Sequence, residues 1–329
     1  MPTFDHLIFI GRFEPFHHGH EFVVREALKH TDHVILLIGS ANSPRTIKNP
    51  FNFDERQAMI LKAFSDEISR KITCLPIDDT LYNDHKWLQN TRQAVASVTQ
   101  AGDRIGVIGH QKDDSSYYLS LFPDWEFIAL PSFEGLSATP LRQRYFGQGV
   151  IDERMPQSSQ AFLADFISTP AYANLQAEYR HILAYQKAWE DAPYPPVFVT
   201  ADMLVVQSGH ILLVERGGDY GRGLWAMAGG FLDKDETLHE CGLRELAEET
   251  SLHLDKSSFK HSHTFDAPDR SARGRTVTTV FYHELQGSSL PDVVGADDAT
   301  QAFWLPLNKL DGKKMFEDHY SIITKMLGI

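Results

Sequence analysis

The feature that most limits the fold is an alternation in the first third of the chain. Five short apolar runs, His6–Ile10, Val34–Ile38, Ile72–Ile77, Ile105–Ile108 and Phe127–Leu130, are separated by mixed stretches of helical length such as His20–His30, Asp54–Phe64 and Asp84–Thr99. Strands that alternate with helices argue for a parallel sheet covered on both faces. Ligands of such sheets bind beyond the carboxyl ends of the strands, and Gly11, Gly39 and Gly109 stand at three of those ends. After the fifth run the pattern changes. Phe162–Glu190 reads as helix alone and is expected to close this first domain.

The next segment, Ala192-Pro193-Tyr194-Pro195-Pro196, blocks helix continuation and stiffens a linker. Beyond it Val197–Gln207, Ile211–Glu215 and Thr276–Leu285 read as strands, with one strong helix near Glu236–Glu249. The expected architecture is a doubly wound, Rossmann-like α/β domain over residues 1–190 and an α+β domain over 197–329. A length of 329 residues suits two cores better than one.

The formal net charge of −13 argues against a nucleic-acid binder, because phosphate backbones are gripped by an excess of Lys and Arg. Nucleotide binding needs only a local cluster of donors and stays open. The two cysteines, Cys74 and Cys241, fall one in each half, which implies no disulfide framework and fits a reducing compartment. No basic segment with an apolar core opens the chain, and no run approaches the ~20 apolar residues that span a bilayer. A cytoplasmic enzyme without nucleic-acid or membrane partners is the expectation. The oligomeric state, including a homo-oligomer, is left open.

Directly after the first run comes Gly11-Arg12-Phe13-Glu14-Pro15-Phe16-His17-His18-Gly19-His20. Gly11 allows a sharp turn at the strand end and Pro15 stiffens the loop. His17 and His20 are three apart and share a face if a helix begins near His18. A helix N-terminus is a ready phosphate site, and two imidazoles there add donors for developing charge. A solvated histidine pair has the same spacing; zinc would need further ligands, which are not nearby in sequence.

This stretch resembles the GxFxPxHxGH signature of the adenylyltransferase superfamily that includes nicotinamide mononucleotide adenylyltransferases. Gly11, Phe13, Pro15, His17, Gly19 and His20 match it, and the second signature, SxTxxR, is present as Ser137, Thr139 and Arg142 after the fifth run. Arg12, Gly39-Ser40-Ala41, Asn49-Pro50-Phe51 with Arg56, and Asp84 with Trp87 look like the archaeal-type enzymes, and Glu14 stands where that group usually has glutamine. The resemblance implies a reaction of ATP with nicotinamide mononucleotide, with His17, His20 and Arg142 serving the phosphates and Trp87 stacking on the nicotinamide ring. Arg12, Phe13, Gly39, Ser40, Asn49, Arg56, Asp84, Ser137 and Thr139 would be the other substrate contacts. Another phosphate acceptor, such as phosphopantetheine, is the alternative, disfavoured by Trp87 and Asn49-Pro50-Phe51. Taken without the family, Trp87 is a plain core tryptophan.

The second motif is Gly230 to Leu252. Glu245, Glu248 and Glu249 lie at i, i+3 and i+4 and share one helix face. Like charges at that spacing repel, and a hard divalent cation with oxygen ligands offsets the repulsion. Arg244 and Glu236 can pair to brace the loop against the helix. The stretch resembles the Nudix box in Gly230, Glu236, Arg244, Glu245, Leu246, Glu248 and Glu249, with Ser251 in place of the usual glycine. The resemblance implies Mg²⁺ (or Mn²⁺) held by Glu245, Glu248, Glu249 and Gly230, with Glu249 also catalytic. Asp266–Arg275 resembles the loop of ADP-ribose-type Nudix hydrolases, in which Arg270, Arg273 and Arg275 would hold a diphosphate or ribose of ADP-ribose, with Arg244 a further substrate contact; a solvated arginine-rich loop is the plain alternative. A nucleotide-sensing module without hydrolysis is the alternative for this half.

Overall fold

The computed structural model describes residues 3–110, 121–254 and 256–329. The chain divides into two compact units, 1–176 and 177–329.

In the first unit the apolar runs form β1 (His6–Gly11), β2 (Val34–Ile38), β3 (Ile72–Pro76), β4 (Ile105–Gly109) and β5 (Glu126–Ala129). They pair in parallel in the order β3-β2-β1-β4-β5. Between them run α1 (His18–Ala27), α2 (Phe53–Leu61), the short α3 (Asp66–Ser69) and α4 (Asp84–Ala96). After β5 come α5 (Ala138–Gln148), α6 (Gln157–Phe166) and α7 (Pro170–Lys187). Both faces of the sheet are covered, so β2 is buried at every position and its sequence, Val-Ile-Leu-Leu-Ile, has no polar alternation. The sheet grows from β1 through β2 to β3 on one side, and the chain then crosses back to add β4 and β5 on the other side of β1. That reversal places a crevice between the carboxyl ends of β1 and β4.

The second unit holds a mixed sheet in the order β10-β11-β6-β7-β12. Its strands are β6 (Phe198–Gln207), β7 (His210–Arg216), β10 (Phe259–Phe265), β11 (Thr276–Glu284) and β12 (Ala299–Pro306). Two short strands join it, β8 (Trp225–Ala226) on β7 and β9 (Ala228–Phe231) on β6. One helix, α8 (Leu238–Thr250), follows β9, and another, α9 (His319–Leu327), ends the chain. Thr237 caps α8 by accepting from the Glu240 N–H, while Glu240 bonds back to the Thr237 N–H. Ser251 ends the helix at φ 58°, in the left-handed conformation that glycine adopts at least cost.

The helical segment expected to close the first domain is shared. Gln176 Nε2 reaches Phe146 O in the first unit, at 3.5 Å. Gln186 Nε2 donates to Ala272 O in the second, at 3.0 Å, and Tyr185 packs edge-on to Phe198. The compact units divide within α7, where the rings on its last turns, His181 and Tyr185, pack on Tyr220 and Phe198. Among the described residues no helix is long and apolar enough to cross a membrane.

Candidate active sites

The first site is the crevice at the ends of β1 and β4, a cleft of about 280 Å³. Its lining includes Arg12, Phe13, Glu14, His17, His20, His110, Ser137, Thr139 and Arg142. Two helices start here: His17 is the N-cap of α1 and Ser137 that of α5. Free backbone N–H groups of both helix ends therefore face one cleft. Phe13 takes φ 56° to turn the chain out of β1, and its ring lies edge-on to His20 at 5.0 Å. The His17 and His20 rings stack with centroids 3.6 Å apart. A side chain on Gly19 would meet the His17 ring at 3.0 Å, so the position must stay small.

These imidazoles are neutral. Burial pushes His17 down to about 3 and His20 well below its ordinary value. His20 Nδ1 accepts from the His17 N–H at 3.3 Å, which assigns its proton to Nε2. Arg142 donates from Nη1 to Glu14 O at 2.7 Å and from Nη2 to Thr139 Oγ1 at 3.4 Å. Burial and the neighbouring Arg12 lower its pKa to about 10, so it stays charged. Two guanidiniums repelling each other beside two helix N-termini call for a polyanion between them.

The other residues expected here divide into those at the cleft and those elsewhere. Arg56 is 1% exposed and donates to the carbonyls of Arg12 (3.0 Å), Gly39 (2.7 Å), Ser40 (3.3 Å) and Asn52 (3.3 Å). It also pairs with Glu14 Oε1 at 2.9 Å. A side chain so used braces the loops from beneath and has little left for a substrate. Glu14 is buried without an aligned hydrogen bond, and burial, opposed by Arg56, raises it to about 7. Ser40, at φ 54°, is tied through both its N–H and its hydroxyl to Asp79, a residue the motifs do not mark. Gly39 N donates to Gly11 O at 2.9 Å and joins the two loops. Asn49, Asp84 and Trp87 do not line the cleft. Asn49 Oδ1 is buried without a hydrogen bond, Asp84 is exposed at the start of α4, and Trp87 packs half-buried on the core around Ile8, Ile35 and Val107. His110 was not anticipated; its only signal is that it follows Gly109 at a strand end.

The second site is built on α8. Arg244 holds Glu236 through Nε (3.0 Å) and Nη2 (2.7 Å), and Nη1 reaches both Glu245 and Glu248 at 2.9 Å. Hydrogen bonding to Arg244 pulls Glu236 down to about 2. Arg244 is thus a brace between loop and helix. Glu249 is 6% exposed and accepts from the Gly229 N–H at 3.0 Å. Burial is the main cause raising it to about 8, with Glu245 adding repulsion. A Cβ on Gly230 would lie 2.3 Å from Glu245 Oε1, so any side chain there would push that carboxylate aside.

Among the described residues no group of three His, Cys, Asp or Glu side chains is arranged to hold a metal ion, and Arg244 engages two of the expected carboxylates. The donor set nevertheless fits a hard divalent cation. It is all oxygen, Glu249 is a buried carboxylate with a single neutral donor, and bare glycine backbone faces it.

Of the arginines in the loop, Arg270 is not free. Its Nε and Nη2 form a buried two-point pair with Asp318 at 3.0 and 2.9 Å. We expect Arg270→Lys to lower stability by about 1–2 kcal/mol, since lysine keeps the charge but not the fork. An unchanged melting temperature with a raised KM would instead make it a substrate contact. Arg273 is better placed, with its guanidinium over the rings of Tyr220 (5.3 Å) and Phe231 (5.2 Å). Arg216, unmarked by the motif, lies 4.1 Å above Phe316 and donates to Tyr220 O at 3.2 Å, its one side-chain hydrogen bond among the described residues. Burial and then Arg273 lower its pKa, while Glu249 opposes the shift. Two cations therefore stand beside the acidic helix.

Comparison with known proteins agrees with both halves. Residues 8–144 match the cytidylyltransferase-like family and residues 197–326 the NUDIX domain. The chain is 44% identical over 181 residues to the nicotinamide/nicotinic acid mononucleotide adenylyltransferase of Acinetobacter baylyi, covering 55% of this chain and 96% of that protein. It is 34% identical over 125 residues to the ADP-ribose pyrophosphatase of Methanocaldococcus jannaschii, covering 38% of this chain and 70% of the relative. The structure of a bifunctional NMN adenylyltransferase/ADP ribose pyrophosphatase from Francisella tularensis, complexed with AMP and a manganese ion, superposes with TM-score 0.93 at 36% identity over 99% of both chains. The fold is thus shared along the whole length, and the chain belongs to the family of bifunctional NMN adenylyltransferase/ADP ribose pyrophosphatases.

Proposed function

We propose that the first unit transfers AMP from ATP to nicotinamide mononucleotide and that the second hydrolyses ADP-ribose to AMP and ribose 5-phosphate. The observation that carries the first half is the pairing of two helix N-termini, Arg12, Arg142 and two neutral imidazoles around one cleft. An oxygen of the mononucleotide phosphate attacks the α-phosphorus of ATP, the bond to the bridging oxygen breaks, and pyrophosphate leaves. The attacking oxygen is already ionised, so no strong base is needed. His17, His20 and Arg142 stabilise charge as it moves onto the leaving phosphates, while Ser137 and Thr139 hold phosphate oxygens at the start of α5. Trp87 is assigned to the nicotinamide ring, and Asn49 and Asp84 to substrate binding, by resemblance, with residues 1–190 as the transferase portion and 197–329 as the hydrolase portion.

The Nudix half rests on Glu245, Glu248 and Glu249 along one face of α8, with Arg216 acting on Glu249 and Arg273 on Arg216. The carboxylates and Gly230 would hold a divalent cation, Mg²⁺ in this reading, which supplies charge neutralisation and an activated water. Arg216 and Arg273 hold the diphosphate, and Glu249 takes a proton.

Assays of the intact chain with ATP plus nicotinamide mononucleotide, and separately with ADP-ribose, test both halves; no turnover of either pair would remove the corresponding half. For Trp87→Ala we expect KM for the mononucleotide to rise roughly 5- to 150-fold, the equivalent of the ~1–3 kcal/mol of a lost ring stack, with KM for ATP unchanged. Equal loss for both ligands, or a fall in melting temperature alone, would mark Trp87 as core, where its packing beside Ile8 and Ile35 puts part of the ring.

A further inference from the structure

The reaction proposed for the first unit uses the cations of its cleft and leaves a buried carboxyl group, Glu14, without a task. The Glu14 side chain is fully enclosed and lies 2.9 Å from Arg56 Nη1. Neither of its oxygens has an aligned hydrogen bond among the described residues. Arg56 spends its donors on the carbonyls of Arg12, Gly39, Ser40 and Asn52, so it offers Glu14 its charge rather than a fitted donor. The other groups around Glu14 come from each element that borders the cleft. Arg12 stands in the same loop, and its stem lies over Gly39, where a Cβ would meet Arg12 Cγ at 3.7 Å. Arg142 comes from α5 and donates from Nη1 to the Glu14 carbonyl at 2.7 Å. Asp79, after β3, adds a second negative charge and is tied to Ser40. His17 and His20, at the start of α1, are neutral, and His110, after β4, lines the same cleft. One residue therefore positions Arg142 through its backbone and faces Arg56 through its side chain.

Resting on the transferase reading above, we propose that Glu14 is a positioning residue that stands in for substrate phosphate: its carboxylate balances Arg12, Arg56 and Arg142 in the free enzyme and takes a proton from solvent when a triphosphate comes between them. The ionised form is finely balanced here. Burial raises Glu14 to about 7, against the opposing pull of Arg56, Arg12 and Arg142. A carboxylate so enclosed stays charged only through the cations around it. A triphosphate in the cleft engages those cations and brings like charge of its own. Both changes favour the protonated form. One proton moves from solvent to a Glu14 oxygen, and the carboxyl group no longer repels the phosphates. Arg142 keeps its place throughout, because the carbonyl that holds it does not titrate. Below about pH 6 Glu14 already carries its proton before the nucleotide arrives, and at about pH 8 it is mostly ionised, so the uptake grows with pH across this range.

The test is calorimetry of ATP binding to the full chain, with Mg²⁺ and without the mononucleotide, in two buffers of different ionisation enthalpy. Wild type is compared with Glu14→Gln, so protons of ATP itself and any binding at the second site are common to both. Wild type should take up about 0.5–1 more proton per ATP than the variant at about pH 8, and no more than about 0.2 at about pH 6. Its Kd for ATP, relative to that of the variant, should rise roughly 5–10-fold over the same range. KM for ATP should carry this dependence, in His20→Ala as well, while kcat does not, because the bound enzyme is already protonated. Infrared difference spectra give a reading on wild type alone: adding ATP at about pH 8 should produce the band of a protonated carboxyl group, absent from Glu14→Gln. Melting temperatures check the variant, in which glutamine keeps the length and an oxygen toward Arg56. Equal uptake by both proteins, or no such band in wild type, would overturn the proposal. Proton release that grows with Mg²⁺ would make Glu14 a cation ligand and overturn it too. Uptake that depends on Glu14 in a chain that does not adenylylate nicotinamide mononucleotide would sink the transferase reading and keep the proposal; adenylyl transfer with equal uptake would do the reverse.

Discussion

His20→Ala is expected to lower adenylyl transfer by about 10²–10³-fold while KM for nicotinamide mononucleotide moves by no more than about twofold. The His20 ring is fixed on three sides. It stacks on His17 at 3.6 Å and on Phe16 at 5.6 Å, and meets Phe13 edge-on at 5.0 Å. Its Nδ1 is used by the His17 N–H, so Nε2–H is the donor that remains. A donor held in place needs no reorganisation when charge moves from the α-phosphorus to the departing pyrophosphate, and its contribution appears in kcat. The pH dependence follows from burial. His17 lies near 3 and His20 well below its ordinary value, so both are neutral near pH 7. The rate should therefore show no imidazole limb at the ordinary histidine value of about 6.5. A limb near 6.5 lost in His20→Ala would mean that His20 titrates in the open and acts as a cation. Near-normal turnover in the variant would remove it from the site.

The parallel sheet, the two motifs and their helices were legible because their signals are local. β2 is an unbroken apolar run, and Glu245, Glu248 and Glu249 share a face through helix geometry alone. Ser251 was legible in the same way: the box calls for glycine there, and the residue adopts φ 58°. What sequence reading missed depends on partners far along the chain. Arg56 reads as one more substrate cation until its carbonyl partners at Arg12 and Gly39 are known, 44 and 17 positions away. Arg270 reads the same way until Asp318 is found 48 positions on. β10 escaped notice because it is an edge strand, exposed at six positions and carrying Lys260, His261 and His263, so no apolar alternation marks it. The Pro193–Pro196 break is real as chemistry, but contacts such as Gln186 with Ala272 decide where the compact units divide.

Glu249→Gln is expected to lower ADP-ribose hydrolysis by about 10²–10⁴-fold and to leave adenylyl transfer within about twofold of wild type. Glu249 is the deepest of the three carboxylates, 6% exposed and held by the Gly229 N–H at 3.0 Å. Glutamine keeps its length, its helix propensity and an oxygen for that N–H, so the capped helix should stay folded. What is lost is an anionic oxygen beside Glu245, and with it a cation ligand or the acceptor of a proton from water. The two roles separate by titration: a lost ligand is recovered in part at high Mg²⁺ or Mn²⁺, whereas a lost proton acceptor is not. The other site should not register the change. Its cleft is lined between Phe9 and Arg142, within the unit that ends at Gln176, while α8 lies in the other unit. Both reactions are measured on one preparation, with circular dichroism to confirm the fold. Retained hydrolysis would take Glu249 out of the chemistry. A parallel fall in adenylyl transfer with the fold intact would mean that α7, which spans the division at Gln176, couples the two sites.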